Sequence, residues 1–113
     1  MKIQINTDDN IQGRETLAEE VSATVENALR RYTDQITRVE VHLGDENAGK
    51  SGQLDQRCMV EARLEGRQPV AATALAPTLP QAVQAAADKL ARLLDTQIGR
   101  ATRIQRVTPP ADA

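Results

Sequence analysis

The side chains that could carry acid–base, nucleophilic or metal chemistry are few in this sequence and lie far apart. There is one histidine, His42, and one cysteine, Cys58, and each falls in a run of alternating apolar residues. Asp8 and Asp9 are adjacent in a polar stretch, where they are better suited to starting a turn or a helix than to sharing a proton. Catalysis needs a nucleophile, a base or metal ligands that converge on one point. The inventory therefore predicts a protein that is not an enzyme and has no catalytic residue, metal site or cofactor.

A glycine-rich segment, residues 44–53, is the one place where a phosphate-binding loop could be sought. Gly49-Lys50-Ser51 looks like the end of such a loop, and Gly44 lies five residues before Gly49. The loop also needs a strand before it and a helix after it, so that backbone N–H groups surround the phosphates. The flanking segments are predicted to be two strands. We therefore interpret the segment as a long connection between strands and not as a nucleotide site.

Composition restricts the ways in which this chain could bind RNA. Its 113 residues include no Phe, no Trp and one Tyr, so stacking of bases on aromatic rings is essentially unavailable. The net charge is −2, which argues against binding driven by a large excess of Lys and Arg. The charge is uneven: residues 1–35 hold 4 basic and 7 acidic side chains, whereas residues 76–113 hold 5 basic and 3 acidic. Electrostatic binding would therefore centre on the C-terminal part.

Cysteine usage and hydropathy indicate the compartment. Cys58 has no second cysteine with which to form an internal disulfide, and its alternating neighbours predict a buried thiol in a reduced compartment. The N-terminus lacks the apolar segment of a signal peptide, and no stretch approaches the 18 apolar residues of a membrane span. The sequence predicts a soluble, cytoplasmic protein with no membrane partner.

Apolar periodicity predicts six elements in the order β-α-β-β-β-α. Period-two alternation indicates four strands: around residues 2–6, from residue 37 to 43, from residue 57 to 64, and from residue 69 to 75. Apolar residues at helical spacing indicate amphipathic helices at residues 14–32 and 79–98, with Thr78 and Gln81 starting the second helix and Gly99 ending it. Because both helices are amphipathic, both should cover one face of the sheet. The predicted fold is an α+β two-layer sandwich comprising residues 1–99, followed by a flexible tail of residues 100–113.

Three segments in this order have a recognisable pattern: residues 36–43 after the first helix, residues 60–66 at the hairpin and residues 86–92 in the last helix. The Asp-Lys-Leu-Ala-Arg of residues 88–92 is the most specific, because it lies two turns into a helix that follows this strand order. Over about residues 1–100 the chain resembles the ribosome hibernation-promoting factor and ribosome-associated inhibitor A family, in its short form. The resemblance implies a domain similar to a double-stranded-RNA-binding fold.

The resemblance also implies a function without chemistry. Family members bind the small ribosomal subunit in stasis or stress and block its decoding region, so the expected partner is ribosomal RNA and no small-molecule substrate is expected. The family's basic second helix corresponds here to Lys89 and Arg92, with Arg100 close to where further lysines follow. Asp95, and Glu26 and Asn27 in the first helix, depart from the basic pattern of the family. The full set of residues expected to contact RNA is Lys89, Arg92, Arg100, Arg103, Arg30, Arg31 and Arg38.

A second hypothesis remains open at this point. The acidic total charge is compatible with a diverged family member that has weak or no RNA affinity and acts as a protein-interaction or regulatory module. Phosphate contact depends on local potential and not on net charge, so the distribution of basic side chains on the surface discriminates between the two. The basic residues that should form one positive surface if the chain binds RNA are Arg30, Arg31, Lys89, Arg92, Arg100, Arg103 and Arg106.

Overall fold

The computed structural model of this chain describes residues 2–7, 14–45 and 56–106, except for the side chains of residues 14, 15, 45 and 99–106. Within these ranges the elements follow the predicted order. The strands are β1 (Lys2–Thr7), β2 (Ile36–Asp45), β3 (Gln56–Leu64) and β4 (Val70–Ala76), and the helices are α1 (Arg14–Ala28) and α2 (Leu79–Arg106), with a 3-10 turn at Arg30–Tyr32 after α1. The strands form one sheet in the order β1-β2-β3-β4. β1 pairs with β2 in parallel and the other two pairs are antiparallel, so the predicted α+β fold is confirmed.

The core lies between the sheet and one layer that contains both helices. Alternate residues of β2 and β3, such as Val39 and Val60, are fully buried against that layer. Val25 of α1 and Leu90 of α2 belong to the same buried cluster, and Ile5 of β1 packs against it. The prediction that both helices cover one face is therefore confirmed. The physical reason is that each amphipathic element has one apolar stripe, and a single layer on a single face buries all of them.

The second helix is longer than its sequence pattern indicated. We expected Gly99 to end it, but α2 continues without interruption to Arg106, so that expectation is wrong. A glycine inside a helix costs only about 1 kcal/mol relative to alanine, and the surrounding Leu, Gln, Arg and Ala residues are good helix formers. The helix thus crosses the expected boundary between residues 1–99 and 100–113. The rest of the predicted tail, residues 107–113, lies outside the described residues.

The turns at both ends of β4 depend on particular residues. Gly66, in the turn between β3 and β4, has φ of +74°, a conformation that side chains with a Cβ rarely adopt. At the start of α2, Thr78 Oγ1 accepts a hydrogen bond from the backbone N–H of Gln81 at 3.3 Å and donates to Gln81 Oε1 at 3.1 Å. The threonine thereby satisfies an N–H group that the first turn of the helix leaves without a partner.

The glycine-rich segment is followed by a strand. Residues 46–55 lie outside the described residues, but Gly44 is the penultimate residue of β2 and β3 begins at Gln56. Gly44, Gly49 and Lys50-Ser51 have the spacing of a phosphate-binding loop, which leads into a helix, but the next element that the structure describes is the strand β3. The interpretation of this segment as a connection between strands is confirmed on that point.

The reactivity of the Cys58 thiol tests which alternate side chains of β3 face the core. Its side chain is fully buried, as predicted, and burial raises its pKa from 9.0 to about 12, with a smaller opposing effect from the Arg57 charge. The thiolate is the reactive form, so at pH 8 the native protein should react with a thiol reagent at least about a thousandfold more slowly than the unfolded chain. Labelling of native and urea-unfolded protein, followed by mass spectrometry, measures this ratio. Similar rates in the two states would contradict the burial of Cys58.

Candidate RNA-binding surface

Lys89 is placed on α2 at its border with strand β4. Its ammonium group Nζ donates a hydrogen bond to the backbone carbonyl of Thr73 at 3.2 Å. β4 is an edge strand, so this contact covers part of the sheet edge. The ammonium is nevertheless exposed and has two further N–H donors, so a phosphate can bind it without breaking this contact.

Arg92 lies one turn after Lys89, and its side chain is the least constrained among the predicted residues whose side chains the structure describes. It is exposed, and among the described residues its guanidinium has no hydrogen-bond or ion-pair partner. Its backbone carbonyl accepts a hydrogen bond from Thr96 Oγ1 at 3.2 Å, which leaves the side chain unaffected. All five guanidinium N–H donors are therefore available for a phosphate.

The continuation of α2 to Arg106 places two further basic positions on the same side of the helix as Lys89 and Arg92. Positions 89 and 100 are 11 residues apart, as are 92 and 103, and 11 residues make close to three whole turns of an α-helix. The helix backbone thus places Arg100 and Arg103 on the same face as Lys89 and Arg92. Had the helix ended at Gly99, as the sequence pattern suggested, this alignment would not exist.

Arg31 extends from the 3-10 turn to the second helix. Its Nη2 atom lies 2.9 Å from both carboxylate oxygens of Asp95, and its guanidinium carbon lies 5.4 Å from the centre of the Tyr32 ring. The neighbouring Arg30 instead donates to Asn27 Oδ1 at 2.7 Å, back along α1. The structure therefore brings Arg31 to α2, where it is already paired with an acid, while Arg30 remains bound to α1.

Arg38 does not join this surface. It lies on the open face of the sheet, opposite the helices, where it donates to Gln4 Oε1 at 2.9 Å and contacts Glu40 Oε2 at 2.6 Å. The half-buried Glu40 carboxylate also lies 3.9 Å from Arg63 and 3.6 Å from His42. Glu40, together with Glu61 at 3.7 Å from Arg63, offsets part of the positive charge of the open face and leaves it with a modest positive excess. Among the predicted residues whose side chains are described, Arg38 thus lies on the open sheet face, whereas Arg30, Arg31, Lys89 and Arg92 lie on the helix side.

A groove of about 650 Å³ separates the exposed sides of α1 and α2. It is lined by Ala23, Thr24, Glu26, Asn27, Arg30, Thr33 and Gln84. Glu26 and Asn27 are the α1 positions that depart from the family's basic pattern. The charged side chains lining the groove are therefore one carboxylate, Glu26, and one guanidinium, Arg30, instead of a row of cations. The α1 side of the groove therefore attracts phosphate only weakly, and α2 is the main basic element of the helix layer.

Comparison with known families identifies the family of this chain. The profile of the family described as "Sigma 54 modulation protein / S30EA ribosomal protein" matches residues 3–102. The chain belongs to this family. The resemblance inferred from the sequence segments is therefore confirmed, and the S30EA family is one of ribosome-associated hibernation and interface factors that are not known as enzymes.

Solved structures support the S30EA fold. A ribosomal subunit interface protein from Coxiella burnetii superposes with a TM-score of 0.70 at 16% identity, over 88% of this chain and 99% of that one. The N-terminal domain of Thermus thermophilus Protein Y gives a TM-score of 0.68 at 22% identity, over 86% of this chain and 99% of that one. At these identities the likeness shows the fold alone. No curated protein gives a significant match.

Other kinds of site find no support in the described part of this S30EA-family chain. Within residues 2–7, 16–44 and 56–98, no three His, Cys, Asp or Glu side chains come together in a way that could hold a metal ion. Among the described residues, no helix is both long and apolar enough to cross a membrane.

Sequence reasoning missed two partners of the predicted basic residues. Asp95 was noted only as a departure from a basic stretch, and its pairing with Arg31 spans 64 positions of sequence, so no local pattern indicates it. The contact of Lys89 with the Thr73 carbonyl likewise depends on how α2 lies against β4. The Arg38–Glu40 pair could have been found, because residues two apart on a strand share a face.

Proposed function

We propose that this protein is a translation regulator that binds the small ribosomal subunit in stasis or stress and blocks its decoding region. The observation that carries the proposal is the family match over residues 3–102, within which α2 presents Lys89 and Arg92 as exposed cations on one face. Arg100 and Arg103 extend that face along the helix backbone. We assign the contact with ribosomal RNA to this side of α2 together with Arg31, and give Arg38 no part in it.

The mode of binding follows from the chemistry of the surface. The only aromatic side chain of the chain, Tyr32, is buried, so it cannot stack on a base. Recognition therefore depends on Lys and Arg contacts with phosphates, which position a protein on RNA and weaken steeply as salt rises. Such a protein acts by occupying a site. We accordingly propose a cytoplasmic, ribosome-bound factor that needs no catalysis, cofactor or small-molecule substrate.

A second candidate function is favoured by the ion pairs. Arg31 is paired with Asp95, and Arg38 and Arg63 both contact Glu40, so several arginines already have an intramolecular counter-charge. Together with the net charge of −2, this favours a diverged member with weak or no RNA affinity that acts as a protein-interaction or regulatory module.

Co-sedimentation with purified small subunits separates the two candidates. The tagged protein is mixed with subunits at about 50 mM and about 200 mM salt, and the fraction in the subunit peak is measured. A ribosome-binding factor sediments with the subunit at low salt and is released as salt rises. Absence of the protein from the subunit peak at both concentrations would support the interaction module instead.

A further inference from the structure

We propose that Asp95 lowers the affinity for RNA of the α2 surface, which consists of Lys89, Arg92 and Arg31 with the helix positions of Arg100 and Arg103. The Asp95 carboxylate binds the Arg31 guanidinium at the point where an RNA phosphate would bind it. The proposal rests on the proposed function and deepens it, because it names the side chain that weakens the interaction. The observation behind it is the contact of Arg31 Nη2 with both Asp95 oxygens at 2.9 Å.

The geometry of the pair resembles the contact that a phosphate makes with arginine. A carboxylate and a phosphate both offer two anionic oxygens to a guanidinium, and both form charge-assisted hydrogen bonds of about 2.7–2.9 Å. Arg31 is also restrained by the Tyr32 ring, with its guanidinium carbon 5.4 Å from the ring centre. A guanidinium held between an aromatic ring and a carboxylate is preorganised for an anion, but the position is already occupied.

The pair is exposed enough for RNA to reach it. The side chains of Arg31 and Asp95 are 69% and 47% exposed, so water screens the attraction and a competing phosphate can displace the carboxylate. Displacement leaves the Asp95 charge in place, one turn from Arg92 on the same helix and within the screening length of about 10 Å at 0.1 M salt. Asp95 therefore opposes phosphate binding in two ways, by competing for Arg31 and by repelling phosphates near Arg92.

A simpler explanation is that the pair only fastens the 3-10 turn to α2. Exposed ion pairs contribute little to folding, so that role predicts at most a small loss of stability on removal of Asp95 and no gain in RNA binding. The two roles thus differ in the sign of the effect on binding.

The test compares two substitutions of the same kind on the same helix. Asp95→Asn keeps the size of the side chain and removes the charge, and it should tighten binding to purified small subunits about three- to tenfold at low salt. It should also make the salt dependence steeper by about one counterion, because one more cation is free to neutralise a phosphate. Asp88→Asn is the control, since Asp88 is exposed and accepts a hydrogen bond from Gln84 at 3.0 Å instead of pairing with an arginine. Asp88 lies four residues before Arg92, so Asp88→Asn also removes a negative charge one turn from Arg92 but releases no arginine. It should tighten binding by no more than about twofold, and the difference between the two variants measures the release of Arg31.

A double-mutant cycle isolates the pair from the charge. In an Arg31→Gln background, Asp95→Asn should give no more gain than Asp88→Asn, because the arginine that it releases is absent. If wild-type protein binds subunits and the two Asp→Asn variants behave alike, or if the full gain persists without Arg31, the role of Asp95 is overturned while the proposed function stands. If neither the wild-type protein nor any variant binds subunits at low salt, both proposals are overturned. Binding by Asp95→Asn alone would support both.

Discussion

Replacement of Lys89 and Arg92 together by glutamate is expected to weaken binding to the small ribosomal subunit by roughly 30-fold or more at low salt. Each side chain is assigned one phosphate contact, and loss of a charge-assisted contact costs about 1 kcal/mol or more, so two contacts give about 2 kcal/mol. The slope of log K against log salt should fall by roughly one per contact removed. Thermal stability should hardly change, because both side chains are exposed.

The matched control lies on the other face of the sheet. Lys2→Glu with Arg57→Glu also reverses one lysine and one arginine and changes the net charge equally, but both residues belong to the open face. This pair should reduce binding only through the total charge, by a few-fold, with little change in the salt slope. Co-sedimentation titrations across four salt concentrations measure both quantities. A large loss in the control and none in the α2 variant would move the RNA contact to the open sheet face, with Arg38 and Arg63 as the next residues to reverse.

The largest effect on stability is expected from Leu90→Ala. Leu90 is completely buried in a core of mostly aliphatic side chains, so its truncation leaves a cavity that the surroundings fill only in part. A buried Leu→Ala change costs about 2–5 kcal/mol, a large share of the 5–15 kcal/mol that holds a typical domain folded. We expect a loss of about 3 kcal/mol and a fall in the melting temperature of roughly 10–15 °C.

Leu93→Ala is the control for this prediction. Leu93 is on the same helix but 38% exposed, so the same substitution removes far fewer packing contacts and should cost less than about 1 kcal/mol. Urea unfolding followed by circular dichroism gives the free energy of unfolding of both variants. Equal losses at the two positions would mean that α2 does not present Leu90 to the sheet.

Tests of binding and of stability together distinguish two kinds of residue on one helix. Leu90 on the inner side of α2 holds the helix to the sheet, while Lys89 and Arg92 on the outer side are free to be reversed without unfolding. If the Leu90 variant still sediments with subunits at a temperature where it is folded, the core acts only as a scaffold for the basic face. The acidic net charge of the chain is compatible with RNA binding at α2, because a bound phosphate responds to the local potential and not to the total charge.

The amino-acid sequence by itself determined the elements, the buried face and the family. Alternating residues such as Val39 and Val41, and the helical repeat that includes Leu90 and Leu94, encode which side of each element is apolar. Since every apolar stripe must be buried, one helix layer on one sheet face follows without knowledge of any distance. The segment at residues 88–92 then pointed to the family that the profile match established.

Only the tertiary structure decided which cations are available to a partner. Availability depends on contacts of about 3 Å between side chains of different elements, and periodicity carries no information at that scale. Arg31 is occupied by Asp95 and Arg38 faces away from α2, whereas Arg92 has no partner among the described residues. The continuation of α2 through Gly99 was also beyond local reasoning, because a single glycine costs a helix about as much as one favourable contact restores.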